Sequence, residues 1–157
     1  MPKVMIQAIL LLSCLLQPVL AADYSIETLA DELSYPWSVA FLPENEYLVA
    51  ERNGQLQRLA ADGSRQALAG VPETYFAGQG GFFDILLDPD FASNGLVYLS
   101  YAHGTPDENG TGVIRARLTD AGLEDSQLIL LSDPPRDTPQ HYGGRMLFLA
   151  DGTLLVT

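Results

Sequence analysis

The chain has 157 residues, with 20 Asp and Glu against 8 Lys and Arg, and a formal net charge of −12. Apolar residues make up 47% of it, enough to form a buried core, so an intrinsically disordered chain is excluded. The acidity argues against binding to nucleic acid or to an anionic membrane, because phosphates attract the opposite charge. The single cysteine excludes an intrachain disulfide framework and a zinc site built on two or more cysteines.

The first 21 residues have the composition of a secretory signal peptide. Lys3 supplies a positive charge, residues 4–16 are mostly apolar, and Val19-Leu-Ala21 offers the small residues that a signal peptidase needs. The apolar run is shorter than the roughly 20 residues of a membrane span. Lipoprotein processing at Cys14 is the alternative. The sequence therefore predicts an exported, periplasmic protein whose remaining domain covers residues 22–157.

After the signal peptide the chain has the pattern of short β-strands, and no segment shows a long helical period. An apolar strand, a Pro/Asp/Gly turn and a second strand recur three times, in residues 38–50, 84–100 and 145–157. Asn53-Gly54 predicts a hairpin turn, and residues 113–118 alternate apolar and polar side chains. Strand pairs that recur every roughly 40–60 residues are typical of a β-propeller, with a β-sandwich as the alternative.

The last predicted strand follows the turn at Asp151-Gly152 and reaches Thr157. Two propeller blades and the start of a third would leave sheet edges and core faces uncovered. We therefore expect the chain to be the N-terminal part of a longer propeller. This part alone is expected to be neither stable nor active.

Two polar residues lie in glycine-rich segments that precede predicted innermost strands. They are Gln79 in Ala77-Gly-Gln-Gly-Gly-Phe82 and His141 in Pro139-Gln-His-Tyr-Gly-Gly-Arg145. In a propeller such entry loops cluster on one face around the central channel, where glycine lets the backbone approach a flat ligand. A neutral imidazole there can accept a proton from an alcohol. The alternatives are a surface hydrogen bond for the histidine and satisfied turn groups for the glutamine.

Other polar segments are assigned structural roles. His103 lies in a polar connector and is expected to be solvated. Asp88-Pro-Asp90 with Asn94-Gly95 predicts a turn rather than a calcium site, because the spacing and the terminal Glu of an EF-hand are missing. Arg115 and Arg117 are expected on an exposed strand face rather than in an anion site.

Four segments together resemble the soluble PQQ-dependent aldose sugar dehydrogenases, the glucose/sorbosone dehydrogenase family. They are Tyr35-Pro-Trp-Ser-Val-Ala-Phe-Leu-Pro43, Gly78-Gln-Gly-Gly-Phe-Phe-Asp84, Asp88-Pro-Asp-Phe91 with Leu96-Val-Tyr-Leu-Ser-Tyr101, and His141-Tyr-Gly-Gly-Arg145. The resemblance runs from about residue 24 to the last residue, with the motifs in the family's order. It implies an all-β, six-bladed propeller, of which this chain would hold the first two blades and the start of a third. It also implies pyrroloquinoline quinone (PQQ) in the channel and Ca2+ bridging that cofactor to the protein.

The resemblance implies an exported enzyme that oxidises the anomeric C1 hydroxyl of aldoses to lactones by hydride transfer to PQQ. His141 matches the family's catalytic histidine, the general base for that hydroxyl, and Gln79 matches the glutamine that borders the PQQ and sugar site. Trp37 also matches, and is assigned to packing within a blade. The Ca2+ ligands and the other PQQ contacts are expected beyond Thr157. Thr138-Pro-Gln140 departs from the family, which usually has a Gly/Ser/Asn-rich approach to the histidine or, in the best-known glucose-oxidising branch, an adjacent acid; Gln140 has no charge with which to pair the histidine.

Two other function classes stay open from the sequence. A metal-dependent propeller lactonase or hydrolase would need carboxylate and Asn ligands in the channel, and a non-catalytic propeller would use the same face for binding alone. The expected partners are an aldose and an electron acceptor of unknown identity. Neither nucleic acid nor, after signal cleavage, a membrane is expected, and a homodimer stays open.

Overall fold

The computed structural model of the chain describes residues 24–157. The expected signal peptide of residues 1–21 lies outside the described residues. Among those that are described, no helix is long and apolar enough to cross a bilayer.

The first sheet consists of four antiparallel strands paired in chain order, and a short 3-10 turn at Pro43–Asn45 joins its first two strands. The strands are β1 (Pro36–Phe41), β2 (Tyr47–Glu51), β3 (Gln55–Leu59) and β4 (Arg65–Ala67). Gly54 has a φ of 96°, which places the predicted Asn-Gly dipeptide in the tight turn between β2 and β3. The predicted hairpin is therefore confirmed.

The second sheet repeats this order with longer strands. It consists of β5 (Phe82–Leu87), β6 (Leu96–Gly104), β7 (Asn109–Leu118) and β8 (Leu123–Leu131), again antiparallel and paired in chain order. The four-residue helix α1 (Phe91–Asn94) lies between β5 and β6. The Asp88 carboxylate accepts hydrogen bonds from the Asp90 amide (3.0 Å) and the Asn94 side chain (2.8 Å). This segment is the turn that its sequence predicted.

The third sheet is a single antiparallel pair, β9 (Met146–Phe148) and β10 (Leu154–Val156). The three predicted strand–turn–strand units are therefore β1 with β2, β5 with β6, and β9 with β10. The described part of the chain is mostly β, and its four-stranded antiparallel sheets are consistent with propeller blades.

Apolar packing places the second sheet between the other two. The larger core cluster joins the first and second sheets and includes the fully buried Leu48 and Phe82. A smaller cluster packs Tyr98 and Val113 of the second sheet against Met146 of β9. Burial of these side chains is the main force that holds the three sheets side by side.

The structure corrects the expectation for His103. This residue lies inside β6, pairs with Gly110 of β7 and is half-buried. Its Nδ1 atom lies 3.0 Å from Tyr101 Oη, and the two rings meet edge to face. The β6–β7 hairpin extends further than its polar sequence indicated, because backbone pairing and the tyrosine ring both support the histidine.

Candidate functional site

The two glycine-rich segments singled out in the sequence meet in the fold. One is the Gln79 loop (residues 77–81), which enters β5, and the other is the His141 loop (residues 139–145), which enters β9. The Gln79 amide donates to the Pro139 carbonyl (2.8 Å), and Gln79 Oε1 accepts a hydrogen bond from the His141 amide (2.7 Å). The two predicted site residues are thus in direct contact, although 62 positions separate them.

Arg52, at the end of β2, holds the Gln79 loop. Its Nη2 atom donates to the carbonyls of Gly78 (2.6 Å) and Gly80 (3.0 Å). Its guanidinium carbon lies 5.4 Å from the centre of the Trp37 ring, within the range of a cation–π contact. Gly81 has a φ of 140°, and a Cβ there would lie 2.2 Å from the Arg52 carbonyl oxygen. Only glycine permits this approach of the loop to β2.

Arg136 holds the His141 loop in a similar way. Its Nη1 atom donates to the carbonyls of Gln140 (3.0 Å) and His141 (2.6 Å). Its guanidinium carbon lies 4.8 Å from the centre of the Tyr142 ring. His141 has a φ of 60°, in the left-handed region that few non-glycine residues adopt. Such a conformation persists where the surroundings fix it, as these contacts do.

The end of the His141 loop is anchored to the second sheet by Asp84. This carboxylate is 6% exposed and accepts hydrogen bonds from Arg145 Nη1 and the Met146 amide, both at 2.9 Å. Nearby, the Ser100 hydroxyl donates to the Gly144 carbonyl (2.6 Å). The loop is therefore fixed to β5 and β6 just after the histidine.

A cavity of about 450 Å³ lies where the two loops meet. Its walls combine aromatic rings, glycine backbone and charged side chains, from Trp37, Arg52, Gly78, Gln79, Phe83, Asp84, Tyr142, Gly143 and Arg145. Trp37 is 57% exposed. In the described residues it forms part of the cavity wall, and its role in blade packing stays a prediction. His141 is next in sequence to a wall residue, and its side chain is exposed.

The cavity wall combines the cationic Arg52 and Arg145, the Asp84 carboxylate that pairs with Arg145, and the phenol of Tyr142. Burial raises the pKa of Tyr142, and the nearby Arg136 opposes that rise only in part. The phenol is therefore protonated at neutral pH and donates its hydrogen to Asn109 Oδ1. Arg145 is 72% exposed even though one of its nitrogens binds Asp84, so its other donors face solvent.

These residues fit a flat anionic ligand. The volume is within the usual range for small-molecule pockets, and aromatic faces beside glycine backbone suit a planar ring system. Arg52 Nε is buried without a hydrogen-bond partner among the described residues, which adds a spare donor near the cavity wall. For metals, residues 24–157 contain no group of three or more His, Cys, Asp or Glu able to hold an ion. The Ca2+ implied by the family resemblance stays a prediction.

Comparison with known proteins decides the family. Residues 33–157 match the family model described as Glucose / Sorbosone dehydrogenase. The chain belongs to the glucose/sorbosone dehydrogenase family. It is 37% identical over 140 residues to Aldose sugar dehydrogenase YliI of Escherichia coli (strain K12), covering 86% of this chain and 38% of that protein. The family member described here thus spans about two fifths of the length of that relative.

Two solved structures of sugar dehydrogenases are similar to this chain in sequence and in backbone. The crystal structure of the soluble aldose sugar dehydrogenase from Escherichia coli in the apo-form is 36% identical, with a TM-score of 0.75 over 79% of this chain and 37% of that one. The PQQ-bound form of the aldose sugar dehydrogenase from Streptomyces coelicolor is 28% identical, with a TM-score of 0.72 over 83% of this chain and 40% of that one.

Three further residues shape the site and were not predicted from the sequence: Arg52, Asp84 and Arg136. Arg52 reaches carbonyls 26 and 28 positions away, which no local pattern reveals. Asp84 did leave a signal, because it is a charged residue inside the apolar strand Phe82–Leu87. A carboxylate in such a place is buried only when it has partners, so its presence alone indicates an anchor.

Proposed function

We propose that this chain is the N-terminal part of a six-bladed propeller quinoprotein that oxidises the anomeric C1 hydroxyl of aldoses to lactones. The observation that carries the proposal is the direct contact of Gln79 with His141 beside a cavity lined by aromatic and cationic groups. Membership of the glucose/sorbosone dehydrogenase family and the PQQ-bound relative from Streptomyces coelicolor support it.

The cavity residues have distinct proposed roles toward PQQ. When bound, this quinone supplies the two-electron acceptor for the hydride that leaves the sugar. Trp37 and Tyr142 would lie against its flat rings, and Arg145 would neutralise its carboxylates with donors that Asp84 leaves free. Gln79 would border both cofactor and sugar, since it lines the cavity and binds the His141 backbone.

His141 is the proposed general base. Its side chain is exposed, and neither ring nitrogen is hydrogen-bonded to a residue of the described chain. A neutral imidazole in this state can take the proton of the anomeric hydroxyl at a ring nitrogen, a form of catalysis worth about 100- to 10,000-fold in rate. Its backbone is held by Gln79 on the amide side and by Arg136 on the carbonyl side, so the ring is presented from a fixed position.

The proposal also includes further propeller blades and export of the protein. The curated Escherichia coli relative is more than twice the length that this chain covers, which supports further blades beyond residue 157. Exposed apolar side chains on the outer face of β1, including Phe41 at 71%, would be covered when such a ring closes. We further propose export through the signal peptide of residues 1–21 to the periplasm, with the Ca2+ ligands supplied by the later blades.

Dye-linked turnover of the full-length protein tests this proposal. After reconstitution with PQQ and Ca2+, the protein is expected to reduce an artificial dye when given an aldose. His141→Ala is expected to lower that rate at least about 100-fold, because the proton of the C1 hydroxyl loses its acceptor. The matched control is His103→Ala, which removes the chain's other histidine, one engaged with Tyr101 and not part of the cavity wall. It should keep the rate within about twofold.

Two results would contradict the proposal. Dye reduction by His141→Ala at the wild-type rate would remove this histidine from the mechanism. A titration in which the full-length protein does not bind PQQ would remove the cofactor assignment altogether.

A further inference from the structure

Each of the two loops that meet at Gln79 and His141 is held by one arginine, and the two arginines do so in the same way. Arg52 donates from one terminal nitrogen to two carbonyls of the Gln79 loop, and Arg136 donates from one terminal nitrogen to two carbonyls of the His141 loop. The guanidinium of each also lies against aromatic side chains, with Phe76 beside Arg52 as well as Trp37. Two arginines thus make equivalent contacts, one with each loop. We call the pair of hydrogen bonds from one arginine to its loop a clasp.

The carbonyls that the arginines bind are those next to the two functional residues. Arg52 binds the carbonyls of Gly78 and Gly80, one on each side of Gln79. Arg136 binds the carbonyl of His141 itself, as well as that of the preceding residue. Each clasp therefore fixes the backbone from which a functional side chain projects.

The chemistry of the guanidinium suits this task. Each terminal nitrogen has two N–H groups in a fixed plane, so one nitrogen can bind two carbonyls in a set geometry. Contact with an aromatic ring fixes the orientation of that plane. Neither Arg52 nor Arg136 forms an ion pair with a described residue, so the terminal nitrogens that hold the loops bind backbone oxygens and no described carboxylate.

We propose that Arg52 and Arg136 are a matched pair of positioning residues that fix Gln79 and His141 relative to each other. The kinetic part of this inference rests on the proposed function. A displacement of about 1 Å at a reacting group can lower a rate about 100-fold. The effect should therefore be a loss of kcat, with little change in the KM of the sugar.

The chain supplies a matched control in Arg65. This arginine also donates from Nη1 to two backbone carbonyls, those of Asp31 and Glu32, both at 3.2 Å. It is on β4 and does not line the cavity at Gln79. Loss of its side chain should therefore affect stability in a comparable way without disturbing the site.

The test compares Arg52→Ala, Arg136→Ala and Arg65→Ala in the full-length protein. Loaded with PQQ and Ca2+, the first two are expected to lose about 10- to 100-fold in kcat with less than about a threefold change in KM, while the control keeps its kcat. Added guanidinium ion should restore part of the lost rate in the two site variants. Hydrogen exchange in the apo protein should speed up at least about tenfold at the His141 amide in Arg136→Ala, because its bond to Gln79 is released.

The lysine variants are controls for the case in which the alanine variants do not fold. Arg52→Lys and Arg136→Lys keep the positive charge and the aliphatic stem but lack the planar fork, so they should remain folded and still lose kcat. Wild-type kcat in the lysine and alanine variants, or an unchanged exchange rate at His141 in Arg136→Ala, would overturn the inference. If the wild-type protein does not oxidise aldoses, the proposed function fails, and the exchange measurement still decides whether Arg136 positions the His141 loop.

Discussion

The first and second sheets have the same strand order but different surroundings. Phe82, on the inner strand of the second sheet, is fully buried, whereas Phe41, on the inner strand of the first, is 71% exposed. The second sheet packs against the first on one face and against the third on the other. The first sheet has a neighbouring sheet on only one face within the described residues.

A blade needs a neighbouring sheet on each face to bury the apolar side chains of its inner strand. Both sheets form from the same local signals, yet only the sheet with two neighbours has an inner strand whose apolar side chains are largely buried. The Gln79 loop enters β5 and the His141 loop enters β9. These two strands lie on either side of the interface between the second and third sheets. The candidate site is therefore built on the best supported part of the described chain.

The largest expected effect comes from the two phenylalanines. Phe82→Ala in the full-length protein should lower the free energy of unfolding by about 3–5 kcal/mol, because it leaves a cavity in the core between the sheets. Phe41→Ala should cost less, about 1–2 kcal/mol, through contacts with the closing blade that we propose. Urea unfolding measures both. A neutral Phe41→Ala would mean that the outer face of β1 stays open, against the proposed ring.

The next prediction compares the stability lost on removing a carboxylate from each sheet, Asp84 from the second and Asp62 from the first. Asp84→Ala in the second sheet should cost about 2–3 kcal/mol, because the Met146 amide and Arg145 lose their acceptor. Asp62, in the turn before β4 of the first sheet, is exposed and accepts a hydrogen bond from the Ser64 amide two residues away. Asp62→Ala should change stability little. Equal losses in the two variants, measured by urea unfolding, would contradict the anchoring role of Asp84.

The smallest expected effect is a pH dependence at Asp88, in the turn between β5 and β6. Burial acts to raise the pKa of this carboxyl, but hydrogen bonds from Asn94, Asp90 and Tyr98 outweigh it and lower the pKa below the ordinary value of 3.8. A lowered pKa in the folded state adds stability above the unfolded pKa, and this stability is lost as the pH falls through the folded pKa. Acidification below about pH 4 should therefore destabilise the wild type more than Asp88→Asn.

Unfolding free energies of both proteins between pH 6 and the acid limit of reversible folding provide the measurement. Parallel curves for the two proteins would show that Asp88 does not contribute to the pH dependence.

Short sequence patterns correctly predicted turns and strand pairs, which depend on neighbouring residues. The Asn53-Gly54 turn, the Asp88 turn and the three strand pairs formed as expected, because turn residues and alternation act over a few positions. The expectation that entry loops cluster on one face predicted that Gln79 and His141 lie near each other, and the structure adds the hydrogen bond between them. The strand pattern and the proximity of the two loops were thus predicted without coordinates.

What the sequence did not predict depends on which surfaces the tertiary fold brings together. The clasp of Arg52 and the anchor of Asp84 join residues 26 to 62 positions apart. His103 was assigned from local polarity, but the pairing of β6 with β7 decides its environment. Polarity indicates whether a residue suits water; it does not indicate which neighbour will cover it.

Anaerobic single-turnover reduction of protein-bound PQQ by an aldose is the most direct test of the account. It follows the loss of the oxidised quinone's absorbance and so separates cofactor binding from the chemical step. We expect rapid reduction in the full-length wild type. His141→Ala should bind the quinone with similar affinity but reduce it at least about 100-fold more slowly. Equal reduction rates in the two proteins would contradict the claim that the His141 loop carries the catalytic base.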